Sequence, residues 1–243
     1  MATKLTIDEG NSSTKIALWR DDVMVAVSTC SSGSVEHVAA MAGADAPVDT
    51  AIFCSVCRRD PSAVRKALSG LARKVIVLDA STPLPVQIGY RTPGTLGADR
   101  IAAAAGATVL APGRTALVVD MGTAITYDVV HPDGTFIGGN IAPGIFVRLE
   151  ALNHFTKALP LVETDGDCPR WGYDTETALR SGAIRGVVGE LQYYRHCLTD
   201  DAVVILTGGS ADLIIPYISS AIIVEPNLVL KGLNCIIDYN EDK

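Results

Sequence analysis

The feature that most constrains this 243-residue chain is a weak internal repeat. Residues 5–19 read Leu-Thr-Ile-Asp-Glu-Gly-Asn-Ser-Ser-Thr-Lys-Ile-Ala-Leu-Trp, and residues 117–130 read Leu-Val-Val-Asp-Met-Gly-Thr-Ala-Ile-Thr-Tyr-Asp-Val-Val. Each is a β-branched run that closes on Asp-x-Gly-(Asn/Thr) and is followed at once by a second apolar run, the pattern of strand, glycine turn and return strand. A third strand is expected in each half, after Arg20-Asp21-Asp22 and after Pro132-Asp133-Gly134. A repeated supersecondary unit fixes the architecture before any single residue does.

Downstream of the first meander the periodicity predicts a helix over Val35–Met41, a strand over Thr50–Cys54, a helix over Ser62–Leu71 and a strand over Lys74–Leu78. In the second half Pro143-Gly144 precedes a helix over Ile145–Leu159. Helical spacing then runs over Thr175–Cys197, with small residues at Ala178, Ser181, Gly182 and Gly186. Strand Val203–Thr207, a Gly208-Gly209 turn, strand Ile222–Val224 and a terminal helix from about Asn227 follow. Two β-β-β-α-β-α-β halves give an α/β class and suggest a duplicated ribonuclease-H-like fold, that of the actin-like ATPase/acetate and sugar kinase superfamily, with a nucleotide cleft between the halves. The expected domains are 1–112 and 113–243, divided near Ala111-Pro112-Gly113, with helix Leu96–Val109 leading towards the boundary.

Composition narrows the function classes. Twenty basic against 27 acidic residues leave a net charge of −7, which repels phosphodiester backbones and anionic lipid surfaces; neither nucleic acid nor membrane is an expected partner. The opening Met-Ala-Thr-Lys-Leu-Thr-Ile-Asp brings a charge before any signal-like apolar run, and no stretch approaches the ~18 apolar residues of a membrane span, so the expected location is cytoplasmic. Six scattered cysteines suit a reducing compartment. Cys54-Ser-Val-Cys57 has no second Cys/His pair at ligand spacing and reads as small thiols near a strand end. His37, His131, His154 and His196 lack the partners that zinc catalysis or a hydrolase triad requires.

Three stretches carry groups suited to phosphoryl transfer, which needs phosphates gripped, a metal ion held and an acceptor hydroxyl aligned and deprotonated. The first is Asp8-Glu9-Gly10-Asn11-Ser12-Ser13-Thr14-Lys15: a glycine turn brings amides and hydroxyls close to phosphates, Lys15 adds a charge, and Asp8 can hold Mg²⁺ directly or through water. Alone, it is equally an ordinary hairpin. The second, Asp120-Met121-Gly122-Thr123-Ala124, repeats that geometry, and its Asp suits a cation. The third is Gly97-Ala98-Asp99-Arg100, where an Asp at a helix start can act as general base beside an Arg paired with an anionic substrate. Taken alone it reads better as a dipole-complementing Asp next to a salt-bridged Arg.

In combination these stretches resemble the type III pantothenate kinases. Asp8-x-Gly10-Asn11-Ser12-x-x-Lys15 is similar to the family's ATP phosphate loop, and Tyr90 with Gly97-x-Asp99-Arg100 to its pantothenate site. Asp120-x-Gly122-Thr123-Ala124 is similar to its second motif. Gly138-Gly139-x-Ile141-x-Pro143-Gly144, Leu159-Pro160, Asp174-Thr175 with Ser181-Gly182, and Leu228-x-Leu230-x-Gly232-Leu233 extend the likeness along the chain. Glu9 and Asn140 depart from the small or apolar residues usual at their positions.

The resemblance implies an ATP-dependent kinase that phosphorylates pantothenate to 4'-phosphopantothenate, the first step of coenzyme A synthesis. It implies ATP contacts from Asp8 to Lys15 and at Thr123, pantothenate contacts at Tyr90, Gly97, Ala98, Asp99, Arg100 and Thr175, and Asp99 as the base. It further implies Mg²⁺ near Asp8, K⁺ or NH₄⁺ at Asp120, and a homodimer in which the Thr175 region reaches a neighbour's site. Two rivals stay open: another phosphotransferase or phosphoanhydride hydrolase of the same fold, and a regulatory relative that binds nucleotide without catalysis. Gly208-Gly209-Ser210 reads equally as a nucleotide-approaching turn or a plain connection.

Overall fold

The computed structural model describes residues 2–30, 35–57 and 59–241. Strands β1 (Thr3–Glu9) and β2 (Thr14–Arg20) pair antiparallel from Thr3↔Arg20 to Glu9↔Thr14, as two apolar runs on either side of a glycine turn should. β3 (Val23–Cys30) returns along β2, with a register irregularity at Leu18/Trp19. After α1 (Val35–Ala42) the chain enters β4 (Val48–Ser55), parallel to β1. Helix α2 (Pro61–Leu68) then leads to β5 (Ala72–Val77), parallel to β4. The α2 start is fixed locally: the Asp60 side chain accepts from Ser62 N at 3.0 Å, and Pro61 presets the first helical turn. The sheet order is β3-β2-β1-β4-β5.

Strand alternation sorts β1 onto two faces. Leu5 and Ile7 enter a core with Ile16, Leu18, Val38 and Leu68, each aliphatic side chain so buried contributing about 1.5–3 kcal/mol. Lys4 and Thr6 take the other face, where Thr6 Oγ1 accepts from Trp19 Nε1 at 2.9 Å.

The connection to the second sheet carries β6 (Gln87–Ile88) and α3 (Ala98–Leu110). β7 (Ala116–Met121), β8 (Ala124–Val130) and β9 (Thr135–Pro143) form the second meander, followed by α4 (Ile145–Phe155) and α5 (Thr175–His196). β10 (Val203–Thr207), β11 (Ile223–Val224) and α6 (Leu228–Glu241) complete the chain. The sheet order is β11-β10-β7-β8-β9-β6, with β10 parallel to β7 and β6 parallel to β9. Its core joins Leu117, Val119 and Ile125 to Leu149 of α4 and Leu191 of α5.

By backbone contacts the chain divides into two compact units. Unit 1 holds Met1–Gly113, Val130–Ile137 and Asn227–Lys243, and unit 2 holds Arg114–Val129 and Gly138–Pro226. The sequence places everything after residue 112 in one domain, whereas Val130–Ile137 and α6 pack with the first unit. α6 lies on α3 and β1: Lys4 pairs with Asp238, and Thr50 Oγ1 donates to Glu241 at 2.5 Å. The crossing with α3 is close. A Cβ on Gly106 would lie 2.6 Å from the Leu228 carbonyl oxygen, and one on Gly232 would run into the Ala102 carbonyl.

Other departures are local. Leu96 is extended (φ −72, ψ 130), so α3 starts at Ala98 rather than Leu96. α4 ends at Phe155 rather than Leu159, because Thr156 turns extended (φ −120, ψ 152) and its hydroxyl donates to the Leu152 carbonyl at 2.7 Å. Among the described residues no strand lies between α4 and α5, so the second half reads β-β-β-α-α-β-β-α rather than a copy of the first.

Candidate functional site

In unit 1 the turn between β1 and β2 is closed by Gly10 N donating to Ser13 O at 2.9 Å. The ladder pairs Asp8 with Lys15 and Glu9 with Thr14, so the carboxylate and ammonium are cross-strand neighbours on one face. Asn11 and Ser12 at the tip are exposed, and Ser13 is half-buried. Thr14, at the base, is buried, and its Oγ1 meets no hydrogen-bond partner.

Glu9 points to the other face and is 2% exposed. It accepts from Arg59 Nε at 2.9 Å, Arg59 Nη2 at 2.7 Å and Ser55 Oγ at 2.7 Å, while its carbonyl accepts from Val56 N at 3.1 Å. The Arg59 hydrogen bonds hold the Glu9 carboxyl below its usual range in spite of burial. The residue that departs from the motif is thus the one that ties the turn to the segment after β4.

Asp8 sits beside Cys54 in the parallel β1–β4 ladder. Cys54 is fully buried; burial pushes its thiol up, and the charges of Asp8 and Asp99 push it further. One thiol that feels both carboxylates places the strand-end Asp8 and the helix-start Asp99 in one neighbourhood. Asp99 Oδ1 accepts from Arg100 N at 2.8 Å and closes against Gly97, where a Cβ would collide with it. Burial raises the Asp99 pKa above the ordinary carboxyl value; the Arg100 amide and charge oppose that rise. A half-buried carboxylate shifted upward in this sense is suited to accept a proton.

Arg100 is 7% exposed, and its Cζ lies 5.7 Å from the Tyr90 ring centroid and 5.5 Å from that of Phe136. The structure therefore brings Asp8, Lys15, Tyr90, Gly97, Ala98, Asp99 and Arg100 into unit 1. Phe136, with no motif to announce it, joins them from β9.

In unit 2 the turn between β7 and β8 is closed by Gly122 N donating to Ala124 O at 3.0 Å. It is braced by backbone. Gly144 N donates to Thr123 O at 2.9 Å, and Ser210 N to Met121 O at 3.0 Å. Gly208 has φ +90, and a Cβ there would lie 2.5 Å from Asp120 Oδ1. The Gly208-Gly209-Ser210 turn thus lies against Asp120, a neighbour that the sequence left undecided. Among the described residues no three His, Cys, Asp or Glu side chains gather as a metal-ion group. A cation at Asp8 or Asp120 would take its other ligands from carbonyls, hydroxyls, phosphate oxygens or water.

Thr175 is the first residue of α5 and is exposed. Asp174 caps the helix, accepting from Thr177 N at 2.8 Å, while the Thr177 hydroxyl accepts from Asp174 N at 3.2 Å. The strap before it is tied down by Arg180, donating to the carbonyls of Glu163 and Asp167, and by Arg185, donating to those of Cys168 and Pro169.

A sequence model of a family described as type III pantothenate kinase matches residues 4–196. The chain belongs to the type III pantothenate kinase family. A type III pantothenate kinase from Phocaeicola vulgatus is 40% identical over 240 residues, covering 98% of each chain. A conserved putative Baf family transcriptional activator from Campylobacter jejuni superposes with a TM-score of 0.66 at 21% identity, over 98% of this chain and 100% of that one. A putative 2-dehydro-3-deoxygalactonokinase from Sinorhizobium meliloti gives a TM-score of 0.59 at 12% identity, over 98% and 99%. This member of the type III pantothenate kinase family accordingly has the mixed α/β, duplicated ribonuclease-H-like fold of the actin-like ATPases and sugar kinases.

Proposed function

We infer that the chain transfers the γ-phosphoryl group of ATP to the primary hydroxyl of pantothenate, giving 4'-phosphopantothenate, the first step of coenzyme A synthesis. The observation that carries this reading is the shared neighbourhood of Asp8 and Asp99 around buried Cys54: a phosphate-turn carboxylate and a desolvated candidate base in one unit of a chain from this family.

In this reading Asp99 accepts the hydroxyl proton as the oxygen attacks the γ-phosphorus and ADP leaves. Arg100 and Tyr90 orient the anionic acceptor, with the backbone at Gly97 and Ala98 close by and, in a homodimer, the Thr175 region of a neighbouring copy adding a hydroxyl. The amides and hydroxyls from Gly10 to Thr14, with Lys15, hold the phosphates; the unpartnered Thr14 hydroxyl at the base of that turn supports this role. Glu9 contributes its backbone to the turn, since its carboxylate is committed to Arg59. Thr123 contacts ATP from the second turn.

Asp8 would hold Mg²⁺, directly or through water, and Asp120 would hold K⁺ or NH₄⁺, fitting the tight glycine cradle beside its carboxylate. Bound cations supply neutralising charge to the phosphate oxygens.

The same reading makes the protein a homodimer through α4 and α5. Phe146, Phe155 and Tyr193 are exposed there, and Ala178, Gly182 and Gly186 leave the α5 surface flat enough for close approach. We place it in the cytoplasm; among the described residues no helix is long and apolar enough to cross a membrane.

A coupled ADP-release assay with Mg²⁺ and K⁺, run across pantothenate, acetate, sugars and polyphosphate, tests the function. Pantothenate-dependent turnover is expected, and its absence overturns the reading.

A further inference from the structure

We propose that Phe136 is a positioning residue of the acceptor site, one whose aromatic face holds the Arg100 guanidinium and the Tyr90 ring in place for an anionic substrate. The proposal rests on the roles given to Arg100 and Tyr90 above.

Phe136 is 0% exposed and belongs to β9, far in sequence from both residues it touches. Its backbone fixes one of them. Ile88 pairs with Phe136 in the β6–β9 ladder, Gly89 N donates to Phe136 O at 2.8 Å, and Tyr90 follows directly. A Cβ on Gly89 would already lie 3.1 Å from that carbonyl, so the approach leaves no slack. The Tyr90 and Phe136 rings meet edge-on, with centroids 6.1 Å apart at 60°.

The side chain fixes the other. Arg100 is a nearly buried cation whose Cζ lies 5.5 Å from the Phe136 centroid and 5.7 Å from that of Tyr90. A guanidinium removed from water needs negative potential around it, and the face of an aromatic ring supplies it without competing for the hydrogen bonds the cation offers a carboxylate. An aliphatic residue of similar size would fill the space without supplying that potential. Aromatic character at 136, rather than volume, is therefore what sets the reading of the acceptor.

The test uses the full chain in the ADP-release assay, varying pantothenate and ATP separately. Phe136→Leu is expected to raise the pantothenate KM ~5–10-fold, with kcat and the ATP KM changed less than about twofold. Site-specific replacement of Phe136 by mono-, di- and trifluorinated phenylalanine keeps the ring's shape and drains its negative face. The pantothenate KM should climb with each fluorine. A flat fluorination series overturns the proposal, as does a parallel rise of both KM values in Phe136→Leu, which marks plain packing. If Phe136→Leu does not fold, the fluorinated series alone decides. Failure of the unsubstituted enzyme to turn over pantothenate would instead remove the functional reading, and is recognised before any variant is compared.

Discussion

The two Asp-x-Gly turns share a sequence pattern and are braced by different physics. The Asp8 turn is held by charge: Glu9, buried beneath it, accepts two hydrogen bonds from Arg59 and one from Ser55. The Asp120 turn is held by backbone approach, with Gly144 and Gly208 pressed against it where side chains would collide. A charge-braced turn can give way by a hydrogen bond at a time, whereas a close-packed one has no intermediate position. The first suits the role proposed for the Asp8 turn, closing on phosphates, and the second the role proposed for the Asp120 turn, keeping a carboxylate fixed for an ion.

Substitutions that load each brace separately would break or sharpen this contrast. The largest effect is expected at Gly208→Ala, where positive φ and overlap with Met121 and Asp120 together cost about 3 kcal/mol in urea unfolding. Gly10→Ala, whose new Cβ meets only Ser13 O at 3.3 Å, should cost less than about 1 kcal/mol. Equal costs would erase the distinction.

Chemistry separates the turns next. Asp99→Asn, in the same unit as the first turn, should lower kcat ~10²-fold or more. In the unsubstituted enzyme kcat/KM should fall as pH drops through the Asp99 pKa, because the base must be ionised; since burial raises that pKa, the fall comes at higher pH than an ordinary carboxyl would give. Near-normal turnover of the variant would take the base away from Asp99. At the second turn, replacing K⁺ and NH₄⁺ by Na⁺ should reduce activity ~10-fold or more, and Asp120→Asn should abolish the cation dependence. Indifference of the unsubstituted enzyme to the swap would separate Asp120 from any cation.

A stability effect between those of the two glycine substitutions is expected at Glu9→Gln, about 1–2 kcal/mol, the scale of a charged hydrogen bond lost from a buried partner. The Glu9 pKa is lowered on folding, so its contribution is present above the ordinary glutamate value and is lost as pH falls through the depressed one. Urea titrations from neutral to acid pH should therefore converge for Glu9→Gln and the unsubstituted chain. Parallel curves would show that the carboxylate's charge does nothing.

Much of the scaffold was legible because its signals are local. Apolar runs on either side of the Asp8 turn mark the first hairpin, and helical spacing marks α2 from Ser62 and α5 from Thr175, next to the Asp60 and Asp174 side chains that cap them in the fold. The motif around Asp99 was legible as a pattern but ambiguous in role, since a first-turn Asp beside an Arg also fits simple dipole compensation. The observation that favours the base is burial of the Asp99 carboxyl, and burial is a property of the assembled fold. The end of α4 was misplaced because Thr156 redirects its hydroxyl to the Leu152 carbonyl, a competition that helical spacing does not register.

The sequence by itself determined two strand-turn-strand units, the candidate acids and bases that the proposed reaction would use, and a family resemblance along most of the chain. Tertiary structure alone decided which distant segments meet: α6 on α3 through Gly106 and Gly232, Arg59 under Glu9, Gly208 against Asp120, and Phe136 against both Tyr90 and Arg100. The physical reason is range. Turn chemistry and strand periodicity act within a few residues, whereas a buried charge or a close glycine contact finds its partner only once the sheets and helices have packed.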